Sequence, residues 1–364
     1  MTRTLLTAAS ALVLASVVGG GAWLYLTHGA PHDHAAGPAD AVPRVTMSLN
    51  AFHDVAPDNN AGGSAVDGTS PISDGEQPAG ARPPAQATKD NRLAAAGLFP
   101  HPDPSLIEKS DLGPLPVIGK DGRMPWRVYA RPFSRLDSRP RVAVVVTMLG
   151  VSENATKSAI EKLPGEITLS FASFTKNLAE WIDKSRAAGH EVLIDLPMEP
   201  LDFPQSDPGP HTLLASVPID QNLRQLGWIL SRATGYVGVT TYMGSGLAEK
   251  PRVLSPILSE LKARGLMLVD THENPLGGTE DVAKKVGVAV TTADFFIDGK
   301  LSEKQIDAQL VELEKLARQN GAALAIARPY PLTLNRLSAW SPGVADKGLV
   351  LAPVSALPAG KDKR

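Results

Sequence analysis

From Arg141 onward, short runs of β-branched residues alternate with segments whose apolar positions recur every three or four residues. Residues 141–147 (RVAVVVT) predict a strand. A helix follows, with Ser152 as its cap and Ala155, Ala159, Ile160 and Leu163 on one face. Residues 167–171 predict the next strand, and a helix from Thr175 turns Leu178, Trp181 and Ile182 inward. Further strands are expected at 190–196, 236–241, 266–270, 286–290, 323–327 and 349–353. Gly189, Gly235, Gly265, Gly287 and Gly321 each follow a helical pattern, where a left-handed cap is commonly required. Strict alternation of strand and helix implies parallel strands joined by crossovers. Seven or eight such units within residues 141–358 suit an α/β barrel, a distorted (β/α) barrel, better than a short open sheet. The carboxyl ends of the strands then carry Thr147, Asp195, Met198, Glu199, Tyr242, Asp270 and Arg328 around one rim.

The pattern differs before Arg141. Residues 5–26 (LLTAASALVLASVVGGGAWLYL) carry no charge, and a membrane-crossing helix needs about 20 apolar residues. Arg3 precedes this stretch, Trp23 and Tyr25 close it, and no lysine or arginine follows until Arg44. The expectation is a single-pass anchor in the inner membrane, with residues 1–4 in the cytoplasm and the remainder in the periplasm. A cleaved signal is the alternative, and it gives the same export. Residues 27–101 hold nine prolines and few aromatics, the composition of a disordered linker. His28, His32 and His34 cluster there without a fixed frame. Residues 102–140 regain apolar anchors between prolines and glycines and read as an irregular arm packed on the domain. Residues 359–364 form a short polar tail.

Composition narrows the chemistry. Lysine plus arginine number 36 and aspartate plus glutamate 38, a net charge of −2 that does not favour nucleic acid as a partner. The absence of cysteine removes disulfides, thiolate zinc sites and a cysteine nucleophile together. Within 141–358 the histidines are His190, His211 and His272. His190 opens a strand and belongs to a turn at the far end of the barrel from the rim. A metal site from Asp195, Asp270 and His272 is conceivable. Asp294 and Asp298 in ADFFIDGK read as loop-shaping residues.

The segments AGHEVLIDLPMEP, DPGPHTLL, GYVGVTTYMGS, RGLMLVDT and LAPVSAL resemble the divergent polysaccharide deacetylases in order and spacing, and PLPVIGKDGRMPWRVYARPF resembles the lead-in of one branch. The similarity spans residues 102–357. It implies a barrel related to deacetylases of N-acetylated cell-wall sugars, in which a divalent metal on one Asp and two His activates a water. The family's Asp-Asp-Leu-Gly, Asn-His-Met-Gly-Ser and Gly-His-Pro motifs stand here as Thr147-Met148-Leu149-Gly150, Thr241-Tyr242-Met243-Gly244-Ser245 and Ala327-Arg328-Pro329. A divalent cation needs imidazole or carboxylate donors, so no metal ligand and no cofactor is expected.

The leading expectation is therefore a surface-tethered protein that handles cell-wall glycan or a peptidoglycan fragment without metal-dependent deacetylation. Thr147, Tyr242, Ser245 and Arg328 would contact the ligand, with Arg328 facing an acidic group or else bridged to Asp195 or Asp270. Asp195, Glu199 and Asp270 are candidate catalytic residues for a metal-free hydrolase of C–N or glycosidic bonds, since paired carboxylates can act as acid and base. A non-catalytic scaffold for envelope protein partners is the third possibility.

Overall fold

The computed structural model describes residues 97–134, 136–273 and 278–357. The anchor expected at 5–26, most of the linker and the polar tail lie outside them. No helix among the described residues is long and apolar enough to cross a membrane.

Eight parallel strands follow one path through the main sheet, in the order β8-β7-β6-β5-β4-β3-β10-β9. They are β3 (Arg141–Leu149), β4 (Thr168–Ala172), β5 (Val192–Met198), β6 (Gly238–Met243), β7 (Met267–Asp270), β8 (Ala289–Thr292), β9 (Phe295–Phe296) and β10 (Ala322–Ala327). A further strand, β11 (Val350–Leu351), pairs with the start of β3. Strand succeeds strand through helices α2 (Glu153–Lys162), α3 (Leu178–Ala187), α4 (Ile219–Ser231), α5 (Ser245–Ala248), α6 (Pro251–Ala263), α7 (Thr279–Val286), α8 (Glu303–Asn320) and α9 (Pro331–Trp340). Ser152 caps α2 as its sequence predicts, its side chain accepting the Ala155 amide. The two edges of the path are consecutive in the chain. Ala293 donates its amide to Asp270 O on the β7 side (2.8 Å), and Asp294 donates to Leu324 O on the β10 side (2.8 Å). The sheet is thus a parallel half-barrel of the α/β class, consistent with the expected deacetylase type.

The two-residue period of a strand divides the core. Val142, Val144, Val146, Leu169, Ile194, Val239, Leu268 and Val290 pack outward against the helices. Ala143, Val145, Leu193, Met267, Val269, Leu324 and Ile326 fill the interior. At the amino ends of the strands the interior is plugged by Leu106, Tyr129, Val354 and Leu357.

The arm is more regular than its sequence suggests. It contains an antiparallel hairpin, β1 (Ile107–Ser110) with β2 (Gly113–Pro116), and a short helix, α1 (Pro125–Val128). Order also begins earlier than Pro102, because Leu98 is buried and His101 pairs with Asp183 at 3.3 Å. Apolar anchoring decides this, through contacts that composition alone does not reveal.

Candidate functional site at the strand ends

At the carboxyl ends of three strands the backbone adopts left-handed geometry without glycine. Met148 in the last residues of β3 has φ 56°, Met243 at the end of β6 has φ 57°, and His272 after β7 has φ 58°. Such positions cost of order 1–3 kcal/mol each and persist only where the surroundings enforce them. Here carboxylates enforce them. Asp195 accepts the Met148 amide at 2.7 Å, Asp270 accepts the His272 amide at 3.1 Å, and Glu273 accepts the Met243 amide. A fourth, Asp298, accepts the Arg328 amide at 2.7 Å. Gly150 completes the first of these loops, since a Cβ there would lie 2.3 Å from Thr175 Oγ1.

Asp195 shares the inward face of β5 with Leu193. It is 1 % exposed, and among the described residues its hydrogen bonds are from Met148 N and from Ser170 Oγ at 2.5 Å. Burial raises its pKa to about 6, against the opposing effect of those two donors. Asp270 shares the outward face of β7 with Leu268. There Thr241 Oγ1 donates to it at 3.4 Å, and burial again raises its carboxyl. The pairing of Asp195 with Asp270 across the rim is therefore not formed, because the strand period sends them to opposite faces. Glu199 is also committed elsewhere: Oε2 accepts the Ala215 amide at 2.7 Å, and its carbonyl accepts the amides of Gly246 and Leu247.

Among the expected ligand contacts, Tyr242 is half-buried at the mouth, where the charges acting on it are Asp195, Glu273 and Arg328. Desolvation is the first cause of its raised phenol pKa. Thr147 is buried, and its hydroxyl donates to Ala327 O at 3.4 Å. Ser245 accepts the Leu201 amide at 3.1 Å, so it joins two loops. Arg328 is bridged to neither Asp195 nor Asp270. Its Nη1 lies 3.5 Å from Asp298 Oδ1, and its guanidinium sits 4.6 Å from the centre of the Phe296 ring. The reason is again parity: Phe296 faces the interior, and Asp298, two residues on, follows it.

Glu273 and Asp298 are thus site residues whose importance sequence reasoning missed. The inward alternation Phe296, Asp298 was readable in FFID; the reach of Glu273 to Met243 was not. His190 does hold the opposite end, its Nδ1 and Nε2 lying 2.8 and 3.3 Å from Ile167 O and Ile160 O. His211 is stacked on Trp228 at 3.5 Å and bonded to Gln225.

The residues at the mouth do not fit a divalent metal. Met148, Tyr242 and Arg328 offer a thioether, a phenol and a cation in place of carboxylate and imidazoles. Among the described residues no three His, Cys, Asp or Glu side chains are grouped to hold one.

Comparison with known proteins places the chain. Residues 144–358 match the family model described as divergent polysaccharide deacetylase. The chain belongs to this family. Among curated divergent relatives, the uncharacterized protein YibQ of Escherichia coli (strain K12) is 26 % identical over 199 residues, covering 54 % of this chain and 61 % of YibQ. The chain thus spans less than two thirds of that relative's length. An uncharacterized protein of Haemophilus influenzae is 23 % identical over 205 residues, 56 % of this chain and 71 % of its own. The crystal structure of an uncharacterized protein from Agrobacterium tumefaciens C58 superposes with a TM-score of 0.66 at 36 % identity, over 68 % of this chain and all of that one. The family match thus extends over the described barrel.

The raised pKa of Asp195 has a thermodynamic sign. Between the reference value of 3.8 and about 6, the folded protein keeps a proton that the unfolded chain has released. This contribution to stability is present in acid and lost as pH rises through about 6. Its ceiling is roughly 3 kcal/mol at about 1.4 kcal/mol for each pH unit. Asp195→Asn keeps an acceptor for Met148 N and a donor for Ser170 Oγ but does not titrate. The stability of Asp195→Asn relative to wild type should therefore increase from pH 4 to pH 7 in denaturant unfolding. A difference independent of pH would remove the titration of Asp195 from the account.

Proposed function

We propose that this protein binds N-acetylated or related cell-wall glycan at the barrel mouth, as an envelope-facing member of its family that does not carry out metal-dependent deacetylation. The observation that carries this reading is the brace of carboxylates. Asp195, Asp270 and Glu273 hold three strained strand ends, and Asp298 holds the backbone of Arg328; those at Met148, Met243 and Arg328 lie within the motifs where the resemblance expects catalytic and metal-binding side chains. The frame for a ligand is kept while the metal donors are replaced. Tyr242 supplies a ring edge or face to a sugar, and the amide and hydroxyl groups nearby supply polar contacts. The metal-free hydrolase is less favoured: Asp195 and Asp270 face opposite sides, and Glu199 is spent on a loop. The apolar stretch at 5–26 would place the domain in the periplasm, attached to the inner membrane by a long linker.

The test uses full-length protein taken from the membrane fraction; recovery only as a soluble form would remove the anchor. Calorimetry with solubilised peptidoglycan fragments should show saturable binding, with no acetate released and far less than one zinc per chain after dialysis. About one zinc per chain, together with chelator-sensitive acetate release, would establish a metal-dependent deacetylase instead.

A further inference from the structure

Charge at the mouth is unbalanced. Asp195 faces inward with only neutral donors, Ser170 Oγ and Met148 N. Glu273 stands exposed at the edge, accepts the Met243 amide and feels Arg328 only through space. Asp298 faces inward with its side chain fully buried. Among the described residues, the cation that faces these three carboxyl groups is Arg328, which is already placed beside Asp298 and over Phe296. A ligand carboxylate would have to compete with Asp298 for it. The titratable groups acting on Asp270 are His272, which is exposed, and Glu280, which is half-buried.

Two buried oxygens add an independent observation. Thr240 Oγ1 is fully buried and has no hydrogen-bond partner among the described residues. Thr240 pairs in register with Asp195, and it shares the inward face of β6 with Tyr242, opposite the outward Val239. Asp298 Oδ1 is likewise buried and accepts no hydrogen bond among the described residues, with Arg328 Nη1 beside it at 3.5 Å. Among the described residues the mouth therefore carries more carboxyl groups than cations, and at Thr240 a hydroxyl with acceptor capacity to spare. An acetamido group brings one N–H, one further acceptor and no charge. A primary ammonium brings three N–H donors, a full positive charge and no acceptor, and an aromatic face such as that of Tyr242 attracts it.

We propose that the mouth selects glycans carrying a free ammonium, that is, de-N-acetylated amino sugars, over their N-acetylated counterparts. This rests on the glycan-binding reading above and inverts the acidic ligand that Arg328 suggests from sequence. The protein would recognise the product class of a deacetylation carried out elsewhere.

The experiment is calorimetry of the full-length protein near pH 7 and low salt, with a glucosamine tetramer and an N-acetylglucosamine tetramer. The amine oligomer should bind at least tenfold more tightly. Glu273→Gln, which keeps an acceptor for the Met243 amide, should lose most of that preference. Glu312→Gln, which removes an exposed partner of Lys315 on α8, should leave it intact. An equal loss in both variants would reveal only general attraction of a polycation and overturn the proposal. Equal or tighter binding of the N-acetylated tetramer would overturn it while leaving the glycan pocket standing. Binding of neither oligomer nor of peptidoglycan fragments would remove the pocket as well.

Discussion

Replacing Arg186 by methionine is expected to lower the unfolding free energy by about 3 kcal/mol, among the largest effects of any single change outside the apolar core. Arg186 lies in the last turn of α3 and is fully buried. Its Nη1 donates to Tyr129 O and Gly235 O, both at 2.9 Å, and its Nη2 donates to Phe99 O at 2.7 Å. The guanidinium also sits 5.3 Å from the centre of the Tyr129 ring. One side chain therefore ties the arm, at Phe99 and Tyr129, to the turn before β6. Burial lowers its pKa to about 10, which still leaves it charged at neutral pH. Methionine keeps much of the apolar stem but strands three carbonyls. Charge-assisted bonds of roughly 1.5–3 kcal/mol each are lost, and part of that sum is offset because a cation no longer has to be desolvated. Lysine should fall between, since one ammonium cannot span three carbonyls in a fixed fork. Denaturant unfolding gives the energy, and amide exchange at residues 98–101 and 126–131 reports whether the arm loosens. A methionine variant within about 0.5 kcal/mol of wild type, with unchanged exchange, would show that Arg186 merely occupies space.

Arg186 also shows where sequence reading stops. In KSRAAG it stands in a last helical turn, where an arginine ordinarily faces solvent and favours the helix dipole. Its burial comes from an arm distant in sequence that closes over it. The eight expected strands, by contrast, were legible, because β-branched runs and capping glycines are local signals. Two of them, β5 and β6, begin two residues later than expected. At β5 the reason is specific: His190 and Glu191 follow the cap at Gly189 and bond to other segments, His190 to Ile167 O and Ile160 O, Glu191 to Arg131 N and Ser355 N. The two-residue β9 and the β1–β2 hairpin were not legible, since neither has a run long enough to show a period.

The site divides in the same manner. The strand period puts Asp195 on one face with Leu193, and in the structure the Leu193 face is the inward one. The partners of Asp195 did not follow, because a carboxylate at a strand end is free to meet any loop the barrel brings near. Three of the four bracing contacts join residues about 30 or more positions apart, as Asp195 joins Met148 and Asp298 joins Arg328. The motif positions were visible; the fact that their backbones are pinned was not.

Asp298→Ala is the second large effect, expected at about 2–4 kcal/mol. Asp298 Oδ2 accepts both the Arg328 amide at 2.7 Å and Thr333 Oγ1 at 3.1 Å, while Oδ1 faces the Arg328 guanidinium. Thr333 lies in the first turn of α9, so the carboxylate joins the end of β10 to the start of the next helix, where the helix dipole also favours an anion. Alanine leaves a buried amide and a buried hydroxyl without their acceptor. Asparagine keeps one acceptor oxygen and should cost less. Arg328→Ala should cost least, about 1 kcal/mol or below, because the guanidinium side chain is 38 % exposed and its backbone amide stays bound to Asp298. The expected order of destabilisation in denaturant unfolding at neutral pH is therefore Asp298→Ala, Asp298→Asn, Arg328→Ala. Equal losses for Asp298→Ala and Arg328→Ala would mean that the ion pair, and not the backbone brace, holds this strand end. The Arg328 guanidinium would then be the structural element, and the geometry of the mouth would depend on its charge.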